Sequence, residues 1–241
     1  MIHLYRKNEL TFSLVWIGAY VALLSAADSL SASLGTAKSV TAPLCLAMTA
    51  LLAVWIGKNG LRKKYGLCRV RLDWRQYLYF LPLVLIASTN LWGGFAPRFA
   101  PLETALYVVS MVCVGFLEEV IFRGFLFRAL CADGETVGRA VLISSLTFGI
   151  GHIVNLLNGA ELLPTLLQIC YASAAGFLFT VLFLRSGTLL PCILTHSAIN
   201  SLSAFAPEGK DALRMITAAA LTAVSLAYAL WILRRTRSLC P

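Results

Sequence analysis

The chain has three histidines, and two of them, His152 and His196, stand inside long apolar runs. Two adjacent glutamates interrupt a third such run in Phe116-Leu117-Glu118-Glu119-Val120-Ile121-Phe122-Arg123. Carboxylates and imidazoles are suited to moving protons near neutral pH, and imidazole or amide N–H groups can hold a developing negative charge. Asn200 follows His196 by one helical turn, so both project from one face. Arg123 follows Glu119 at the same spacing and can pair with it, which leaves Glu118, about 100° round the helix, to point elsewhere. The same residues allow other chemistry. Glu118, His152 and His196 would suit a catalytic Zn²⁺ with an open fourth position, and buried Glu, His and Arg are also the elements of a proton relay. His3 lies outside the apolar runs and is read as incidental.

The elements that must position these groups follow from composition. Of 241 residues, 59% are hydrophobic and 13% charged, against about 45–50% and 25% in an ordinary soluble domain. That much apolar surface requires lipid, and the chain is read as a polytopic membrane protein. Hydropathy marks eight stretches of near-spanning length: Leu10–Ala27, Val40–Gly57, Tyr77–Ala96, Ala105–Phe122, Ala140–Leu157, Leu162–Leu184, Gly187–Ala206 and Met215–Leu233. Lipid cannot satisfy a bare backbone, so runs of this length without alternating polarity must be helices. The expected fold is an all-α transmembrane bundle of about eight spans, one domain over residues 1–241, with no internal repeat.

The net charge of +9 does not point to nucleic acid, because the bases lie between apolar segments rather than on a soluble face. With a cytoplasmic N-terminus, all twenty lysines and arginines but Lys38, Arg98, Lys210 and Arg214 fall on the cytoplasmic side, which predicts both termini there. A cleaved signal peptide ending near Ser25-Ala26-Ala27 is a minor alternative that leaves later spans in the same orientation. The basic connection Lys58–Gln76 reads as a topological anchor. Seven cysteines without a CxxC pair read as packing residues. Trp16, Trp55, Trp92 and Trp231 read as interfacial anchors, and Pro43, Pro82, Pro164 and Pro191 as helix kinks.

Depth is consistent with one buried site. From cytoplasmic ends near Ala140 and Gly187, His152 and His196 lie about 18 Å and 14 Å inward at 1.5 Å per residue. If the Glu118 helix continues past Phe122 to about Leu130, Glu118 lies at roughly 18 Å as well. Such a site is expected to open toward the cytoplasmic side.

Together the three motifs resemble those of the CAAX prenyl-endopeptidases and their bacterial relatives, the CPBP or Abi intramembrane proteases. That family's pattern is Glu-Glu-x-x-x-Arg, Phe-x-x-x-His and His-x-x-x-Asn on separate membrane helices. It is matched here by Glu118 to Arg123, Phe148 to His152 and His196 to Asn200, over about residues 105–206. The resemblance implies an intramembrane endopeptidase in which Glu118 and His152 activate water and His196 with Asn200 form the oxyanion site, with Glu119, Arg123 and Phe148 supporting them. The family has been read both as metal-dependent and as a metal-independent glutamate protease. No His-Glu-x-x-His is present, and a directly activated water is preferred to Zn²⁺. A Gly-x-Ser-Gly motif is absent, and Asp28, Asp73, Asp133 and Asp211 supply no buried pair, which disfavours serine and aspartyl mechanisms.

The expected partners are a hydrophobic or lipidated peptide or protein substrate and membrane lipids, and the expected location is a bacterial plasma membrane. The tail Ser238-Leu239-Cys240-Pro241 is not a CAAX box. Two other classes use the same buried cluster: a proton-coupled transporter and a non-enzymatic membrane scaffold.

Overall fold

The computed structural model describes residues 1–68, 78–207 and 211–235, and every regular element among them is helical. In chain order these are α1 (Ile2–Lys7), α2 (Glu9–Ser33), α3 (Thr41–Lys58), α4 (Leu81–Ala87), α5 (Pro101–Ala132), α6 (Val137–Gly151), α7 (Val154–Leu157), α8 (Leu162–Ser186), α9 (Leu190–Leu202) and α10 (Asp211–Arg235). Tight 3₁₀ turns flank α4 at Leu78–Phe80 and Ser88–Leu91, and another follows α9 at Ser203–Phe205. The start of the expected third span at Tyr77, the bases Arg69, Arg71, Arg75, Lys210 and Arg237, and Asp73 and Cys240 lie outside the described residues. The six described cysteines are free.

Among the described residues six segments are long and apolar enough to cross a membrane: α2, α3, α5, α6 continued through α7, α8 and α10. The other two of the eight expected runs, the third and the seventh, are shorter apolar helices with adjoining turns. Helical structure in the third covers Leu78–Leu91, after which Gly93 to Ala100 carries no helix. The seventh loses its first residues to a turn in which Thr188 Oγ1 accepts from Leu190 N at 3.2 Å. That leaves α9 with 13 residues, about 20 Å at 1.5 Å each, short of a hydrocarbon core of about 30 Å.

Outward faces are apolar, with Leu14, Val15, Leu46, Leu51, Val54, Leu142 and Leu146 all exposed, as lipid-facing helices require. α5 is the axis of the bundle. Its span is 56% buried, against 22% for α2 and α10. It packs on α3 and α9 along its first half and on α2 and α6 along its second, while α8 lies between α6 and α10.

The bundle has two distinct ends. At one end lie the N-terminus, the end of α10 at Arg235 and the turns after α3, α5 and α8, tied by Lys64 Nζ to Glu9 at 2.5 and 2.7 Å and by Leu189 N to Gly66 O at 2.9 Å. At the other lie the connections after α2, α4, α7 and α9, tied by Ala37 N to Glu103 Oε1 at 2.8 Å and Ala96 N to Phe205 O at 2.8 Å. These are called the terminal end and the far end.

An aromatic layer fills the terminal end. Phe12 and Trp55 stack with centroids 5.1 Å apart, Phe125 meets Tyr65 at 4.9 Å and Phe12 at 5.1 Å, and Tyr5 closes on Trp55 at 5.4 Å. Trp55 is therefore a buried packing residue, not the interfacial anchor its position predicted, whereas Trp92 and Trp231 are exposed. The four prolines are not kinks either. Each stands in the first turn of α3, α4, α8 or α9, where its missing N–H has no intrahelical partner to lose.

Candidate active site

Two glutamates can serve one site because α5 changes pitch where they stand. It is α-helical through Glu118 and π-helical over Glu119–Phe127, and all nine residues of the wider segment are buried. Short π segments recur at functional sites. The helix continues to Ala132, as the depth argument required.

α9 reaches this segment because residue 115 has no side chain. A Cβ on Gly115 would lie 2.7 Å from Ser197 N, and Ser197 Oγ donates to Val112 O at 3.1 Å across the same contact. α6 seats on α8 in the same way, since a Cβ on Gly149 would lie 2.8 Å from Ser173 N and from Ile169 O. Gly151, two residues on, faces open space.

These approaches place His196 between the two carboxylates. Its Nε2 is 3.2 Å from Glu118 Oε2 and its Nδ1 is 2.8 Å from Glu119 Oε1. Glu119 Oε1 also pairs with Arg123 Nη1 at 3.1 Å, with both side chains fully buried. The Arg123 guanidinium lies over the Phe148 ring, 4.1 Å from its centroid. Phe148 meets the rings of His152 and His196 edge-on at 5.4 and 5.7 Å. Motif residues from α5, α6 and α9 therefore form one connected cluster: Glu118, Glu119, Arg123, Phe148, His152 and His196.

Tyr20 was absent from the sequence reading. Its hydroxyl donates to Glu118 Oε1 at 2.7 Å from α2. Nothing in its local sequence marks it, because it is a lone tyrosine in an apolar run and its partner is 98 residues away. Asn155, three residues after His152, donates to Gln168 Oε1 at 2.9 Å.

A cavity of about 570 Å³ adjoins the cluster, and Tyr20, Glu118, His152, Asn155, His196 and Asn200 line its inner part. Asn200 thus shares the cavity with His196, as their one-turn spacing predicted. Further out the walls carry Asp28, Lys38, Arg98 and Arg214. Lys38 Nζ holds Asp28 Oδ1 and Oδ2 at 2.8 and 2.9 Å, and Thr41 Oγ1 donates to Asp28 Oδ1 at 2.5 Å.

These outer residues belong to the far end. On the opposite side Phe122, Phe148 and Phe179 form the floor, with buried Arg123 and the aromatic layer beneath them. The expected opening beside the cytoplasmic termini is therefore corrected: the cavity opens at the end away from both described termini. Hydropathy locates helices but says nothing of where they splay apart.

A bound metal would need donor atoms free of other partners. Both ring nitrogens of His196 already face carboxylates, and Glu118 Oε1 is held by Tyr20. Among the described residues no three His, Cys, Asp or Glu side chains converge as metal ligands.

Residues 100–202 match the family model described as type II CAAX prenyl endopeptidase, Rce1-like. The matched segment runs from α5 to α9 and contains every motif residue, whereas Tyr20, Asp28 and Lys38 lie before it. No curated protein and no solved structure gives a significant match to the chain.

Proposed function

We propose that this chain, which belongs to the CAAX/CPBP protease family through residues 100–202, hydrolyses a peptide bond of a hydrophobic or lipidated substrate within the membrane, using water activated by Glu118. The observation that carries this reading is the bridging of Glu118 and Glu119 by His196 at the inner end of a 570 Å³ cavity. Buried carboxylates are expensive in a membrane, and a cluster kept there in an open cavity is a functional site by default.

In this reading a water enters between Glu118 and His152. Glu118 accepts one of its protons while the water oxygen bonds to the scissile carbonyl carbon. Tyr20 holds Glu118 Oε1, so the carboxylate presents a fixed edge. Negative charge gathers on the carbonyl oxygen, where the Asn200 amide and the His196 Nε2–H donate to it. Glu119 fixes His196 through Nδ1, which directs Nε2 at Glu118 Oε2, 3.2 Å away; once Glu118 has taken the water's proton, that N–H is released to the oxyanion, and Arg123 holds Glu119. Collapse of the tetrahedral adduct breaks the C–N bond, and the leaving nitrogen takes its proton from His152 or from protonated Glu118.

The packed aromatic floor favours a chemical pocket over a transport path, which would need a second exit. The resemblance to hydrolytic motifs at every position favours an enzyme over a scaffold. The test is cleavage of quenched hydrophobic peptides, some prenylated, by the purified chain in liposomes, with and without a strong chelator. Cleavage abolished in Glu118→Gln but kept under chelation supports the assignment. Abolition by the chelator as well reassigns the water to a metal, and full activity in Glu118→Gln removes Glu118 from the reaction.

A further inference from the structure

The site opens away from the basic end of the molecule. Arg6, Lys7, Lys58, Arg62, Lys63 and Lys64 cluster at the terminal end. The described bases of the far end are Lys38, Arg98 and Arg214, and Lys38 is already paired with Asp28 at 2.8 Å. Bases in short loops beside membrane helices mark the cytoplasmic face. The terminal end is thereby cytoplasmic and the far end, with the cavity mouth, is not.

The cytoplasmic side is also closed. Below Glu118 stand Phe122, Phe148 and the fully buried Arg123, then Phe125 and Phe127. A peptide would have to displace this layer to reach Glu118 from that side. From the far end the route is the cavity itself. Tyr20 touches Glu118, and Asp28 at the outer wall lies eight residues further along the same helix, about 12 Å at 1.5 Å per residue. An extended chain covers that in three to four residues at about 3.3–3.6 Å each.

We propose that the cavity admits its substrate from the non-cytoplasmic face, as an extended peptide segment that places three to four residues between the rim and the cleaved bond. The proposal rests on the hydrolytic reading of the site but is tested apart from it. It predicts that substrates are membrane-associated peptides or proteins whose cleavable segment is presented outside the cytoplasm.

Two single-cysteine additions report the orientation without using activity. Ala160→Cys lies in the exposed far-end connection and Asp133→Cys in the exposed terminal-end turn. In right-side-out vesicles from expressing bacterial cells, a membrane-impermeant maleimide should label Ala160→Cys above the parent chain and leave Asp133→Cys unlabelled until lysis. Labelling in detergent controls for folding and access. The reverse pattern overturns the proposal.

A quenched hydrophobic peptide carrying an impermeant charged tag then reports the route. Cleavage by right-side-out vesicles, at least tenfold faster than by inverted ones, supports the proposal. Cleavage that occurs in detergent and, among the vesicles, only in inverted ones overturns it. If detergent-solubilised protein cleaves nothing, the hydrolytic reading fails, while the labelling pattern still decides which face the mouth occupies.

Discussion

Replacing Arg123 with methionine tests how the two glutamates are held. The Arg123 side chain is fully buried, pairs with fully buried Glu119 at 3.1 Å and lies 4.1 Å from the Phe148 centroid. Methionine fills a similar volume but leaves the Glu119 carboxylate with His196 Nδ1 as its remaining partner among these contacts. Breaking a buried pair from one side costs about 3–5 kcal/mol, because an uncompensated charge stays behind. For a chain of this size 1 kcal/mol moves Tm by about 2–4 °C, so Arg123→Met should melt roughly 6–20 °C below wild type in detergent. The check is a double-mutant cycle with Glu119→Gln, followed by thermal unfolding of all four proteins. The double variant should be clearly more stable than the sum of the two single losses predicts, since neutralising Glu119 removes the stranded charge. A melting temperature within 2 °C of wild type for Arg123→Met, or strict additivity, refutes the role given to this pair.

Three further outcomes follow from the same contacts. Glu118→Gln should lower kcat by about 10²–10⁴, the usual contribution of a proton-transferring group, while leaving Tm near wild type; equal loss of both would mean that Glu118 is structural. Tyr20→Phe removes the hydrogen bond to Glu118 at 2.7 Å, and at about 1.5–3 kcal/mol for a bond to a charged group kcat should fall at least tenfold with KM little changed; wild-type kinetics would exclude Tyr20. Gly149→Val drives a side chain into the α8 backbone, where even a Cβ would lie 2.8 Å from Ser173 N, and should lower both Tm and activity, whereas Gly151→Ala, which meets nothing within 4 Å, should melt within about 0.5 kcal/mol of wild type.

Much of the site was legible because its residues violate their surroundings. A glutamate pair, two histidines and an arginine inside apolar runs must find one another, and helical spacing already paired Arg123 with Glu119 and His196 with Asn200. The depth of Glu118 also required α5 to pass Phe122. What stayed hidden was set by tertiary packing. The π segment leaves no mark on composition, and Tyr20 is chosen by the approach of α2 to α5 rather than by its neighbours. The helices of the third and seventh runs are shorter than the runs themselves because turn residues such as Leu189 are as apolar as helix residues. Trp55 read as an anchor because its position near a helix end cannot show that Tyr5, Phe12 and Phe125 cover it. The cavity's direction depends on gaps between helices, which one-dimensional hydropathy cannot contain.

The central claim is that Glu118 drives peptide hydrolysis at this cluster, and mass spectrometry of one defined hydrophobic peptide tests it most directly. The peptide is incubated in liposomes with equal amounts of folded wild type and Glu118→Gln. The account predicts two fragments from wild type whose summed mass is that of the peptide plus one water, and neither fragment from Glu118→Gln. The same fragments appearing at the same rate from Glu118→Gln would contradict it.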